Sequence, residues 1–274
     1  MPTPSRPAYA VRRKVSIMSR RSSARRGGGV SAPARLPRNP LQPTSLDFAD
    51  LPAHDVESDA THRSLSFADI DLSGRSAESV EFMQCRFKDV DLSGTTLGRA
   101  VFTDCVFENS NLANLRAEKS SLVRAELSVL RMTGFHWTDG LLRDARFTES
   151  RLDLSSFRFT DFVAVLFERC NLTGTDFIKS DLSGAQFIGC DLTGAQFSQA
   201  NMEGARFSHC VLVDIGGVTS WQGAIVRSHD LVTLSYTLAA ALGIRIEDDE
   251  NDASRHEHGT LTALTSRDSP DHVP

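Results

Sequence analysis

The chain has 274 residues, a formal net charge of −5 and 40% hydrophobic residues, with only two Trp and two Tyr. No apolar run approaches the roughly 18 residues of a membrane-spanning helix, and no apolar segment of signal-peptide type follows the N-terminal charges. The composition therefore predicts a cytoplasmic protein with one folded body and tails, and it speaks against a membrane partner.

Residues 1–44 carry ten Arg or Lys and no acid, interspersed with Pro, Ser and Gly. Nothing in that composition offsets the entropy of ordering a backbone, so a disordered basic tail is expected. It suits either an arm that touches nucleic acid or an acidic partner, or a solvated tail. Residues 45–66 read as a lead-in whose Leu46, Phe48, Leu51 and Val56 cover the open end of whatever follows.

From Phe67 to Leu212 a large apolar residue returns at every fifth position without insertion or deletion, as in Phe67, Leu72, Phe82, Phe87, Leu92 and Leu97, and Ala77 and Ala117 are the exceptions. A period of five matches neither helix nor plain strand, and an internal repeat outranks local propensity. A column of mostly small residues runs two positions earlier, through Cys85, Val90, Thr95, Ala100, Cys105 and Ser110. Residues two apart on an extended backbone share a side, so each unit points one large and one small side chain inward. Sorted by twenties, Phe67, Phe87 and Phe107 fall in one file and Leu72, Leu92 and Leu112 in another. Twenty residues therefore make one turn of a four-sided coil, and residues 67–215 give about 7.5 turns, roughly 36 Å at 4.8 Å per rung.

Two irregularities stand out inside the coil. Arg75 and Ala77 weaken the first turn, and Leu115 with Ala117, then Phe135 with Trp137, exchange large for small; a kink or altered turn is expected near 115–140, with Ala117 under Trp137 balancing the volume. All five cysteines fall in the small inward column, which is the arithmetic of space filling, and free buried thiols follow.

After Leu212 the repeat stops. Gly216, Gly217 and Trp221 close the last rung, and residues 216–246 are expected to form a cap with a helix carrying Leu231, Leu234, Leu238 and Leu242 on one stripe and Gly243 as its stop. One stripe lies on the coil end; the other needs a partner or caps a monomer. Residues 247–274, with eight acids and two bases, read as a disordered acidic tail.

The units Asp71-Leu72-Ser73-Gly74, Asp91-Leu92-Ser93-Gly94 and Asn171-Leu172-Thr173-Gly174 resemble the pentapeptide repeat proteins. That resemblance implies an all-β, right-handed quadrilateral β-helix with a short C-terminal α-helix. The ending Gly223-Ala224-Ile225-Val226, an alanine-rich helix and Leu242-Gly243-Ile244, is similar to the quinolone-resistance branch, MfpA-like and Qnr-like, and implies a two-fold homodimer. Members of that branch bind type II topoisomerases, DNA gyrase above all, as mimics of duplex DNA, so the solenoid itself is not expected to bind nucleic acid.

Catalysis finds no foothold: His136 and His209 are isolated, no Ser or Cys has a base beside it, and His256 and His258 lack further metal ligands. No cofactor, metal or small-molecule substrate is expected, and function falls to the outer wall. Its acids segregate mildly, Asp71, Asp91 and Asp191 on one side and Glu81, Asp104, Asp144, Asp161 and Asp181 on the opposite one. A duplex of about 36 Å carries on the order of 20 charges against about six net for the repeats, so mimicry over the full surface fails and mimicry by one acidic face survives. Leu154, Phe159, Val163 and Leu166 form an outward apolar group that either binds a partner or lies under the lead-in or the terminal helix. An interaction scaffold with a partner unrelated to DNA is the other reading of the same wall.

Overall fold

The computed structural model describes residues 35–246. The tail readings for 1–34 and 247–274 fall outside the described residues. Within them the chain winds as a β-solenoid of parallel rungs, followed by the helix α1, Leu231–Ala241. One ladder passes through Phe48, Ser66, Arg86, Val106, Glu126, Arg146, Leu166, Gln186, Arg206 and Ile225. Nine steps separate its ends. Every step is twenty residues except the first, which is eighteen, and the last, which is nineteen.

The coil is thus longer than the regular repeat alone predicts. It starts at Asp47, where Asp47–Phe48 pairs with Leu65 and Ser66. The lead-in is not legible as coil because its inward residues are atypical. Val56 is buried in the core, and His62 occupies the inward position under Phe82, with ring centroids 5.0 Å apart. Burial pushes the His62 imidazole below its ordinary value, which keeps it neutral in this apolar place.

Sterics at the corners explain the period. Every fifth residue from Asp59 to Asp214 has φ between about 47° and 71°, whether it is Gly74, Asn109, Arg124 or Val129. A left-handed residue turns the extended chain through a corner, and glycine does so without steric cost. Between corners, the large inward residues stack on their counterparts one turn away. Phe67, Phe87 and Phe107 lie face to face at 4.8 and 4.5 Å, and Phe147, Phe167, Phe187 and Phe207 continue the file at 4.7, 5.1 and 4.9 Å.

The small column has its own logic. Its hydroxyls and thiols reach backbone carbonyls on the rung below: Thr95 Oγ1 donates to Leu72 O, Thr175 Oγ1 to Leu152 O, and Cys190 Sγ to Phe167 O. Thr, Ser and Cys are therefore as acceptable there as Ala, because the buried donor finds a partner. The five cysteines are free and buried, and burial pushes the Cys105 thiol far above the range in which it would ionise.

Neither expected irregularity bends the coil. Arg75 leaves the interior and pairs with Asp55 at 2.9 Å, while Ala77 keeps its register opposite Leu97. At residues 115–140 the register also continues, Trp137 sitting directly over Ala117. Gly140 makes the room: a Cβ there would lie 2.6 Å from Trp137 Nε1 and 2.7 Å from Ser120 O. The remaining apolar void, about 20 Å³, is walled by residues such as Phe87, Leu97, Phe102 and Trp137, too small for any ligand larger than water.

The coil ends on Trp221, which stacks on Phe207 at 4.6 Å and meets Phe197 edge-on at 5.3 Å. Gly217 (φ 74°) permits this approach, since a Cβ would fall 2.3 Å from Ser198 N. Helix α1 then rests on the coil through Leu234 and stops at Gly243, whose N–H bonds to Ala240 O. Among the described residues, no helix is long and apolar enough to cross a membrane.

Val129 is the costliest corner. A β-branched residue at φ 56° is strained by about 1–2 kcal/mol, and its half-exposed side chain gains little packing in return. Val129→Asn is expected to raise the melting temperature by about 2–4 °C. A fall would show that the side chain is needed for packing.

Candidate functional site: the outer wall

Acids on this wall belong to two structural kinds. The first precede the large inward residue and close the corner. Asp71 Oδ1 accepts from Ser73 N at 2.8 Å, Asp91 Oδ1 from Ser93 N at 2.8 Å, Asp181 Oδ1 from Ser183 N at 3.0 Å and Asp191 Oδ1 from Thr193 N at 3.0 Å. Asn111 and Asn171 make the same bond to Ala113 N and Thr173 N. This is the Asx turn, and it gives the repeat its Asp or Asn without reference to any partner. Hydrogen bonds from Ser73 hold the Asp71 carboxyl below its ordinary value. In Asp91, burial pushes up, but the bonds from Ser93 and Asn111 outweigh it. Both stay charged and on the surface.

The second kind point from the strands and their corners, and here the structure divides the predicted acidic side. Asp104 and Asp144 do not form an open face. They occupy the corner between two sides of the coil in strands Val101–Glu108 and Leu141–Thr148, and both are buried. Residues 35–46 run over them. Asp144 accepts from Arg35 Nη2 at 2.9 Å, from Arg38 N at 3.2 Å, and from Arg38 Nε and Nη2 at 3.0 and 2.7 Å. Asp104 accepts from Leu41 N at 2.9 Å and pairs with Arg124 at 2.6 Å. Farther along, Gln186 Nε2 donates to Arg35 O and Gln84 Nε2 to Leu41 O. The segment 35–44, expected as part of a disordered tail, is thus a strap laid along about five rungs, because its two arginines meet Asp144 and its Leu41 N meets Asp104, carboxylates that composition alone cannot place beneath them.

Burial raises the cost of charge on both carboxylates, yet the bonds outweigh it. Arg38 and the Arg35 charge hold Asp144 below its ordinary value of 3.8, and Arg124 with Leu41 N does the same for Asp104.

Glu81, Asp161 and Asp181 lie on the side that the strap borders and leaves open. Their positions stack in one ladder, Glu81 with Val101 and Asp161 with Asp181. None of the three forms an ion pair among the described residues, and Asp161 is pushed above its ordinary value by partial desolvation and by the charges of Asp181 and Asp139. Asp139 does not stand out in the sequence, because its proximity to Asp161 arises only when the coil closes.

The apolar group also divides. Leu166 is buried and Val163 partly so, while Leu154 and Phe159 stay exposed, Phe159 under Arg158 and Lys179 at 5.9 and 5.4 Å from its ring centre. Of the helix residues expected at a dimer contact, Leu234 is withdrawn into the coil end, whereas Leu231, Leu238 and Leu242 are exposed together with Val232 and Tyr236.

Every rung, corner and inward file in this wall repeats at five and twenty residues, and the same stretch matches two family descriptions, "Pentapeptide repeats" in eight copies over 155–194, 170–208 and 190–214, and "Pentapeptide repeat region" over 80–157. The chain belongs to the pentapeptide repeat proteins. No curated protein sequence matches this pentapeptide repeat protein significantly. Among solved structures it is similar to HetL, a pentapeptide repeat protein involved in heterocyst differentiation regulation from the cyanobacterium Nostoc sp. strain PCC 7120, with 16% identity, 63% of this chain and 88% of that one covered, and a TM-score of 0.37. It is also similar to a trypsin-treated variant of QnrB1, a plasmid-mediated fluoroquinolone resistance protein, with 23% identity, 68% and 99% coverage, and a TM-score of 0.32.

Because Asp104 and Asp144 have depressed values in the folded chain, the strap's contribution is complete above 3.8 and is lost as pH falls through the lower folded values. Hydrogen exchange is expected to show the Arg38 and Leu41 amides losing protection over that acid range while Ala49 N, bonded to Ser66 O, keeps it. Simultaneous loss at all three would mean global unfolding, not strap release.

Proposed function

We propose that this pentapeptide repeat protein is a non-enzymatic, dimeric binding protein that engages a type II topoisomerase, DNA gyrase, through the open acidic side carrying Glu81, Asp161 and Asp181, with Asp71, Asp91 and Asp191 as a second, lesser face. The observation that carries this reading is the unneutralised state of Asp161. Stacked carboxylates about 4.8 Å apart repel each other, and Asp161 feels both Asp181 and Asp139 with no cation among the described residues to balance it. Such an arrangement costs the free protein stability and is relieved by a cationic partner surface, which is what an enzyme that grips duplex DNA presents. The resemblance of the C-terminal segment, Gly223-Ala224-Ile225-Val226 and the alanine-rich helix after it, to the quinolone-resistance branch points to the same partner. Nine rungs span about 43 Å, for which duplex DNA carries about 25 charges. This wall mimics one charged strip of a duplex and not its whole circumference.

The exposed Leu154 and Phe159, flanked by Arg158 and Lys179, favour a second reading, an interaction scaffold whose partner has nothing to do with DNA.

Supercoiling by gyrase separates the two. Purified protein is expected to inhibit it, or protect it from a quinolone, in a salt-sensitive manner, and Glu81→Gln with Asp161→Asn and Asp181→Asn to weaken the effect at least ten-fold. Asn keeps the Asx turn at 181, as it does natively at Asn201 bonding Glu203 N. Asp161→Asn alone is expected to raise the melting temperature while weakening the interaction, a combination that a purely structural aspartate does not give. No effect of the wild type on gyrase at any concentration removes the topoisomerase reading.

Light scattering addresses the dimer. The full chain is expected at twice the monomer mass, and Leu231→Asp with Leu238→Asp at the monomer mass with its coil intact; a monomeric wild type contradicts the proposal.

A further inference from the structure

The strap is held in an unusual way. Its large apolar residues, Leu36 and Leu41, are 60% and 64% exposed, and its two arginine side chains are 57% and 61% exposed. Only Pro37 is buried. On the strap's own side apolar burial is confined to Pro37; hydrogen bonds and two half-exposed ion pairs hold the rest, and such pairs are weakened by solvent and salt.

The floor beneath it is the opposite. Asp144 has no exposed side-chain surface, and Asp104 is 8% exposed. Outward-facing Val106, Ala164 and Leu166 are buried too. The floor offers two carboxylates two turns apart, about 10 Å, and amides at both ends, Gln84 and Gln186, that meet main-chain carbonyls. What it engages is generic backbone, namely Arg38 N, Leu41 N, Arg35 O and Leu41 O, together with two arginines three residues apart. At the exposed positions 36 and 41 it makes no demand on side-chain identity. These are the properties of a peptide-recognition groove: backbone bonds for affinity and paired guanidinium contacts for selectivity.

We propose that the groove floored by Asp104, Asp144 and Leu166 is a docking site for an extended Arg-x-x-Arg segment of a partner protein, and that residues 35–42 occupy it in cis as an internal competitor. The proposal does not depend on the identity of the partner at the open acidic side. The cis segment has the advantage of high effective concentration, so a partner segment must bind more tightly, be locally abundant, or arrive when the strap is loosened. A carboxylate as fully covered as Asp144 requires a cationic occupant, because an apolar segment would leave it unpaired at a cost that no flat contact offsets.

The test uses the full chain and a fluorescent peptide of residues 33–46 as probe, read by anisotropy. Wild type is expected to bind it at least ten-fold more weakly than Arg35→Ala/Arg38→Ala, in which the competitor has lost its anchors. Adding Asp144→Asn to that variant is expected to lower peptide affinity again by at least ten-fold, and a peptide with both arginines replaced by Ala is expected not to bind. Equal binding by wild type and the released variant, or binding indifferent to Asp144→Asn or to the peptide's arginines, overturns the proposal. Should the double variant lose its cooperative melt, Arg38→Lys carries the same comparison, since it keeps the charge and gives up the paired Nε and Nη2 bonds. Concentration-dependent dimerisation of the wild type that Asp144→Asn abolishes would assign the groove to the strap of a second copy and overturn a foreign partner.

Discussion

The structure depends on one closure condition: twenty residues must return the chain to a point directly above where it started, so that the backbone N–H groups along each side meet carbonyls one rung away. Leu72 N to Asp91 O, Leu92 N to Asn111 O and Leu112 N to Arg131 O, all 2.7 Å, are successive instances. A left-handed corner every fifth residue satisfies the condition, and the chain accepts the strain of Val129, Leu154 and Phe159 at such corners in preference to breaking the ladder. With the backbone fully engaged along the axis, the interior is committed to stacked Phe and Leu files. Among the described residues the interior keeps only the small apolar void beside Trp137; the larger hollows open on the outside, one along residues 39–48 and one between the coil end and helix α1.

That condition also decides what the sequence reveals. Periodic features are legible because each unit repeats the same physical problem: the inward pair, the corner glycines, the Asx aspartates and the end of the coil near Trp221 all follow from it. Features that solve a problem only once are not. The first turns are coil although His62 stands where Phe or Leu is usual, and only its stacking on Phe82 shows that a neutral imidazole fills the same space. The strap looks like disorder in the sequence for a similar reason. Its ordering energy comes from Asp144 and Asp104, more than sixty residues away, and no local pattern in 35–44 records them.

The acidic residues illustrate how a functional signal and a structural one can share the same letters. An Asp that precedes the inward Leu is first a turn former, and Asn111 and Asn171 show that its charge is dispensable to the turn. Choosing Asp over Asn at 71, 91, 181 and 191 therefore adds charge that the turn itself does not need. Counting acids overstates the surface available to a partner, since it gives Asp144, enclosed by two arginines, the same weight as Asp161, which has none.

The two sides of the Asp144 corner then take on complementary meanings. On one, the chain supplies its own guanidinium groups and the carboxylates are settled at values below the ordinary range; on the other, carboxylates stack with no ion pair among the described residues and one is driven above it. In the ladder of Asp161 and Asp181, position 141 holds Leu and position 201 holds Asn, whose Nδ2 donates to Asp181 Oδ1 at 3.0 Å while its Oδ1 accepts from Glu203 N at 3.2 Å, so Asp181 is met there by a neutral donor and not by a cation. Charge without a paired cation, set beside charge that has one, is the contrast on which the proposed engagement of a cationic partner rests.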